Sequence, residues 1–384
     1  MGNLVIKGTA KTFKYRAGVE SIAEGNSVQL PFIAEYKGEK KTALEYTWYT
    51  KDNEGEIHKR GILVSGHGTY GVPTLFEYDV YITLQDIFLK KKTKNGICEL
   101  KTGSIDDDYL KIEFSINELA KEMGYKLPIN STTRNNLKRA IKTLLATTVF
   151  SVYEGGVYDV VNKKYITNKE IGFHYLEGYE SEDKTAEDGT VVDVTRVKLS
   201  RFTYHQILND YKLFYSKNGY IKIKNRIAKK IYHMALQWKG KNDFAWAKLE
   251  TIVEKIPMIE DKKKYQNRKI RDALKILDRS EVVKISYGKD NPNLIYFNFS
   301  KKDDENNIMN KYSKHKEIEE ELYKMGFSLV EVQEFFDVQD IRYIQALLRY
   351  LDVMKPINKK RYFKSCYEER IDVSQYYNED YCFG

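Results

Sequence analysis

The chain has 384 residues and a net charge of +9, with 42% hydrophobic and 31% charged residues, enough for two or three globular domains with cores of their own. No apolar run approaches the roughly 20 residues that cross a bilayer. The start, Met1-Gly2-Asn3-Leu4-Val5, lacks the basic flank and apolar stretch of a secretion signal, so a cytoplasmic protein without a membrane partner is expected. Three scattered cysteines, Cys98, Cys366 and Cys382, fit a reducing compartment and argue against a disulfide framework or a zinc module.

In chain order, the first long periodic segment is about Tyr78–Lys91, with Val80, Leu84, Ile87 and Phe88 on one helical face. A short extended stretch then leads into a helix over Ser115–Met123. A polar turn with Pro128 and Asn130 precedes a longer helix over about Ser131–Ala146. Alternation takes over at Val149, Tyr153 and Val157, which predicts a strand pair. The acidic, Gly-containing stretch Glu177–Asp193 reads as a wing return plus linker, and residues 177–195 are assigned as an acidic linker. A further helix is predicted over about Asn225–Trp238. It is followed by helices over Lys248–Ile256 and about Lys264–Leu277, with Asp261 in the turn between them. A β-hairpin then turns at Gly288-Lys289-Asp290-Asn291-Pro292.

Two of these windows match without a gap, at one constant offset. Ile112, Phe114, Ile116, Leu119, Ala120 and Met123 correspond to Ala245, Ala247, Leu249, Ile252, Val253 and Ile256. Leu137, Ala140, Ile141 and Leu144 correspond to Ile270, Ala273, Leu274 and Leu277. Val149, Phe150 and Val152 fall against Val282, Val283 and Ile285. Two copies make a duplication rather than a solenoid. Helix, turn, helix and β-hairpin is the winged-helix pattern, whose second helix enters the major groove of DNA. The expected fold is therefore α+β: two tandem winged-helix domains and a small C-terminal helical module. The expected parts are residues 1–176, linker 177–195, a second domain 196–300, linker 301–310 and the module 311–384.

Charge separates the copies. Residues 196–300 hold 24 Lys and Arg against 10 Asp and Glu, whereas 1–195 hold 26 against 28 and 301–384 hold 14 against 17. Such an excess in one domain points to phosphate neutralisation, the alternative being a lysine-rich solvated face. The second recognition helix offers Lys262, Lys263, Lys264, Gln266, Asn267, Arg268, Lys269, Arg271 and Lys275, with Lys289 in the wing. Arg reads guanine and Asn or Gln reads adenine through paired hydrogen bonds, so this is a base-reading set. Lysines at a helix start oppose the helix dipole, which suggests an external anion. The first copy offers Arg134, Asn135, Asn136, Lys138, Arg139 and Lys142 in a domain without excess positive charge. Backbone contacts alone, or a protein interface, are expected there.

Motifs for catalysis are missing. The chain contains no G-x-x-x-x-G-K-[ST] phosphate cradle and no pair of histidines flanking one apolar residue. Asp106-Asp107-Asp108 reads as a polar turn, and Gly66-His67-Gly68-Thr69-Tyr70-Gly71 as a loop before Pro73. No catalytic residue, metal or cofactor is expected, and the chain is read as a non-enzyme.

Leu30-Pro31-Phe32 and the block Tyr70-Gly71-Val72-Pro73-Thr74-Leu75-Phe76-Glu77-Tyr78-Asp79-Val80 resemble the replication initiator family of bacterial plasmids. So do Leu199-Ser200, Tyr220-Ile221 and Ile227-Ala228-Lys229-Lys230-Ile231-Tyr232. The resemblance spans roughly residues 28–300. The tail is similar to a helical module that ends many plasmid and phage replication proteins, through Leu322, Gly326-Phe327-Ser328, Ile341, Ile344, Leu348, Ile357-Asn358 and Tyr362-Phe363. The resemblance implies an initiator that binds origin repeats in double-stranded DNA, helps open the neighbouring duplex and recruits a host helicase or helicase loader. It also implies a homodimer through residues 1–195 in an inactive form. A winged-helix transcription regulator of plasmid or phage origin is the alternative reading.

Overall fold

A computed structural model describes residues 5–376 apart from 8–9, 36–39, 52–55, 161, 163, 167–171, 186–190, 259–261, 290, 300–316, 329–330, 333–334 and 336–340. The chain divides into two compact units. One holds residues 1–48, 59–239 and 244–299, and the other holds 49–58, 240–243 and 300–384.

The first unit opens with β1 (Val5–Lys7), β2 (Ala10–Lys14), β3 (Glu20–Glu24) and the short helix α1 (Gly25–Gln29). After β4 (Ala43–Lys51) and β5 (Ile57–Ser65) comes α2 (Leu75–Lys91), the central helix of the fold. Its start is fixed by the Gly-x-Pro-Thr step. Thr74 Oγ1 accepts from the Phe76 N–H, and the Glu77 carboxylate accepts from the Thr74 N–H. Each end of this box satisfies a donor that the helix leaves open. Nearly all of α2 is buried, from Leu75 through Leu89, so the helix lies inside the core rather than on it.

Next come β6 (Thr93–Lys94), β7 (Ile97–Lys101) and β8 (Lys111–Phe114), then α3 (Ile116–Glu122) and α4 (Ser131–Leu145). Ser115 and Asn130 cap α3 and α4 through their side-chain oxygens. Strands β9 (Thr148–Tyr153), β10 (Tyr158–Asp159), β11 (Lys164–Tyr165) and β12 (Gly172–His174) precede the long hairpin β13 (Leu176–Thr185) and β14 (Val191–Leu199). Strand β14 pairs antiparallel with β8 on one side and β13 on the other. Thus α2, β8, α3, α4 and the β13–β14 wing form the first winged helix.

Helices α5 (Arg201–Leu208) and α6 (Lys217–Lys222) flank β15 (Lys212–Ser216). The second winged helix is α7 (Arg226–Lys239), β16 (Phe244–Lys248), α8 (Leu249–Lys255), α9 (Lys263–Arg279), β17 (Lys284–Tyr287) and β18 (Leu294–Asn298). Its sheet runs β16-β18-β17. The equivalence with the first is position by position: Phe114 pairs with Thr195 in one sheet, and its counterpart Ala247 pairs with Ile295 in the other.

Two expectations change here. The alternating stretch at Val149 and Tyr153 does not open the first wing. It is β9, which pairs with β5 and β12 in a separate four-stranded sheet ordered β12-β9-β5-β4. Residues 148–174 are therefore an insertion between α4 and its wing, absent from the second copy. Residues 177–195 are, in their described part, the two wing strands rather than a linker. Their ladder with β8 anchors the hairpin despite its acidic side chains. The segment 301–310 lies outside the described residues.

The two winged helices share one hydrophobic core, joined by buried polar contacts. Strand β3 pairs with β15. Asp79 on α2 accepts from Tyr220 Oη at 2.5 Å and from Lys229 Nζ at 3.0 Å. Asp86, two turns on, accepts from Tyr15 Oη and from Lys217 Nζ, and Lys217 also reaches Glu122. The buried Lys230 Nζ donates to the carbonyls of Ser27 and Leu30 at 3.1 and 3.2 Å and sits over the Tyr78 ring. Phe32 packs on Tyr78 and Tyr175. Leu30, Phe32, Tyr78, Asp79, Tyr220, Lys229 and Lys230, which belong to the resemblance, are among the residues that join the two halves.

The second unit contains α10 (residues 317–324), α11 (Ile341–Met354) and α12 (Lys359–Glu368). Ile318, Leu322, Phe327, Phe335, Ile344, Leu347, Leu348 and Phe363 form its own core. Asn358 caps α12 by accepting from the Arg361 N–H.

Candidate nucleic-acid interface

Helix α9 turns Ile270, Ala273, Leu274 and Leu277 to the core. The three- and four-residue spacing leaves Lys264, Arg268, Arg271 and Lys275 on the other face. Lys262, Lys263, Lys264, Arg268 and Lys275 are exposed, and Gln266, Asn267, Lys269 and Arg271 are half-buried. The helix start has Lys262 at the cap position with no side-chain cap, and no acid in the first turn. Its open N–H groups and positive dipole end therefore add to the lysine charge, an arrangement that favours an anion.

The basic side chains of this helix differ in their surroundings. Arg268 lies over the Tyr265 ring at 5.4 Å, which extends it along the exposed face. Arg271 donates to Asn293 Oδ1 at 2.6 Å and so is braced by the base of its wing. Lys269 faces elsewhere, paired with Glu35 at 2.5 Å, and is drawn away from the expected base-reading set. Lys275 lies 3.7 Å from Asp272, an exposed pair of little energetic weight. Lys289 is exposed beside the wing turn.

The first recognition helix differs. Arg134 forms an ion pair with Asp193 at 2.8 Å and donates to Asn117 Oδ1 at 2.9 Å. Lys138 lies 3.7 Å from the same carboxylate. Asp193 belongs to β14, so the acidic wing folds back on the helix and neutralises two of its expected DNA ligands. Asn135 and Lys142 are exposed, with Lys142 5.8 Å from the Tyr179 ring of the wing. Arg139, also exposed, faces a cleft of about 330 Å³ shared with Lys40, Asn136 and Arg226. Arg226 itself lies over Phe76 at 4.7 Å. Sequence reasoning missed Lys40 and Arg226, which lie far from either recognition helix in sequence and join this surface through the shared core.

Asp106, Asp107 and Asp108 form a capped polar turn. Asp106 accepts from the Tyr109 N–H, Asp107 pairs with Lys198 and Arg201, and Asp108 with Lys111. Among the described residues, no three His, Cys, Asp or Glu side chains gather as a metal site, and no helix is long and apolar enough to cross a membrane.

No family model and no curated protein matches the sequence. Among solved structures, the chain is similar to domains 2 and 3 of RctB at 11% identity and a TM-score of 0.46, over 72% of this chain and 96% of that one. A second structure of RctB domains 2–3 gives 10% identity and a TM-score of 0.42, over 70% and 95%. The Pi initiator protein, solved in complex with iteron DNA, gives 9% identity and a TM-score of 0.37, over 69% and 100%.

Proposed function

We propose that this protein binds double-stranded DNA sequence-specifically through α9, and that it acts as a non-enzymatic replication initiator at origin repeats. The observation that carries the DNA reading is the start of α9: no side-chain cap from Lys262 and no acid in the first turn, with exposed lysines and an arginine on the face turned from the core. A major groove supplies the anions and base edges that such a helix lacks. The residue-level resemblance to plasmid initiators supports replication over transcription control. So does the tail, a unit with its own core that a simple repressor does not need. Recruitment of a host helicase or loader through that tail, and self-association through residues 1–195, belong to the same proposal.

The test is replacement of Arg268, Arg271 and Lys275 together by Ala. Each base contact is worth roughly 1–3 kcal/mol, so specific binding to duplexes selected from a random pool is expected to vanish. The circular dichroism spectrum should stay native. Full affinity in a natively folded triple variant refutes the assignment. Replication is read separately, from maintenance of a plasmid that carries the gene and its flanking DNA.

A further inference from the structure

The duplication provides an internal control for the charge of each recognition helix. Phe114 pairs with Thr195 and Ala247 pairs with Ile295, so Asp193 on β14 and Asn293 in the turn just ahead of β18, each two residues before that partner, occupy equivalent places. Their surroundings match as well. Ile116, the first residue of α3, donates its N–H to Asp193 Oδ1 at 3.3 Å. Its counterpart Leu249, the first residue of α8, donates its N–H to the backbone carbonyl of Asn293 at 2.8 Å, where the first copy uses the side chain. Lys138 and Arg271 are likewise counterparts in the two copies, and both point at this wing residue. The copies differ in the wing residue, a carboxylate in the first and a neutral amide in the second, and in one helix cation, because the counterpart of Arg134 is Asn267.

The carboxylate does what a DNA phosphate does. It accepts from a backbone N–H and pairs with Arg134 and Lys138. With Asn117 also bonded to Arg134, the group is a complete anion site, filled from within. In the second copy the Arg271–Asn293 hydrogen bond holds the guanidinium in place and leaves its charge for an external anion. We propose that Asp193 stands in for a DNA backbone phosphate and silences the first recognition helix, so that the Asp/Asn difference between the wings decides which of two homologous helices binds DNA. The inference rests on the DNA-binding reading of α9 and adds to it the place of a second, masked phosphate site.

Reciprocal exchange tests this in the full-length chain. Asp193→Asn keeps the hydrogen-bond acceptor for Ile116 and frees Arg134 and Lys138. Affinity for a random-sequence duplex at low salt is expected to rise about tenfold, and the slope of log affinity against log salt to steepen by about one to two. Asn293→Asp neutralises Arg271, and affinity for the selected duplex is expected to fall about tenfold. Unchanged affinity and salt slope in a natively folded Asp193→Asn protein overturns the inference, and so does wild-type affinity in Asn293→Asp. If the wild-type protein selects no duplex at all, the DNA reading falls and this inference with it. If it selects one but the exchanges have no effect, the inference alone falls.

Discussion

His233 shows how far single side chains are committed to joining the two halves. Its Nδ1 lies 2.8 Å from Tyr78 Oη, and its ring stacks on Tyr220 at 4.6 Å. Burial, with the charges of Lys230 and Lys229 nearby, holds its pKa well below the ordinary 6.5. The folded protein therefore keeps this imidazole neutral, whereas the unfolded chain protonates it below about pH 6.5. As pH falls from 6.5 toward the depressed value, the unfolded state takes up a proton that the folded state refuses. Stability is then lost at up to about 1.4 kcal/mol per pH unit. Urea denaturation across this range should show a shallower decline for His233→Gln than for the wild type. Parallel profiles would place the acid sensitivity elsewhere.

Among the elements, helices are legible from their periodicity and caps, and strands only where their partners are close in sequence. Helix α2 illustrates the first case: Thr74 and Glu77 stand at the spacing of a reciprocal cap ahead of an apolar run. Thr74→Ala should cost about 1 kcal/mol in chemical denaturation. An unchanged midpoint would mean that packing alone sets the start of α2. The β17–β18 hairpin is readable because its turn is local. Strand β9 is easily assigned to the wrong sheet, because two-residue alternation marks a strand without naming the sheet it joins. The β13–β14 hairpin reads as a wing return plus linker because its acids and glycine disfavour strands, and the long-range ladder of β14 to β8 offsets that. The same gap hides Asp193. The insertion at 148–174 breaks the constant offset, so its equivalence to Asn293 emerges from strand register alone. The basic character of α9, by contrast, is present in composition.

For the whole molecule, the duplicated halves form one core while the tail has its own. Removing residues 311–384 should therefore leave DNA affinity unchanged while plasmid maintenance fails. Normal copy number from the truncated protein would assign the tail a structural role only.

The pairing of β3 with β15 also has a consequence for synthesis. The Ser27 carbonyl waits for Lys230, 203 positions further along. At about 5–20 residues per second, the N-terminal segment spends roughly 10–40 s outside the ribosome before its partners emerge. During that interval the core that takes up Ile22, Val28 and Phe32 lacks the part contributed by β15 and α7. Nascent chains stalled before residue 212 should remain protease-sensitive at their N-terminus, and chains stalled beyond residue 300 should be protected. The gene's product thus becomes competent only when its second half has been made, which couples the appearance of a folded protein to the completion of translation.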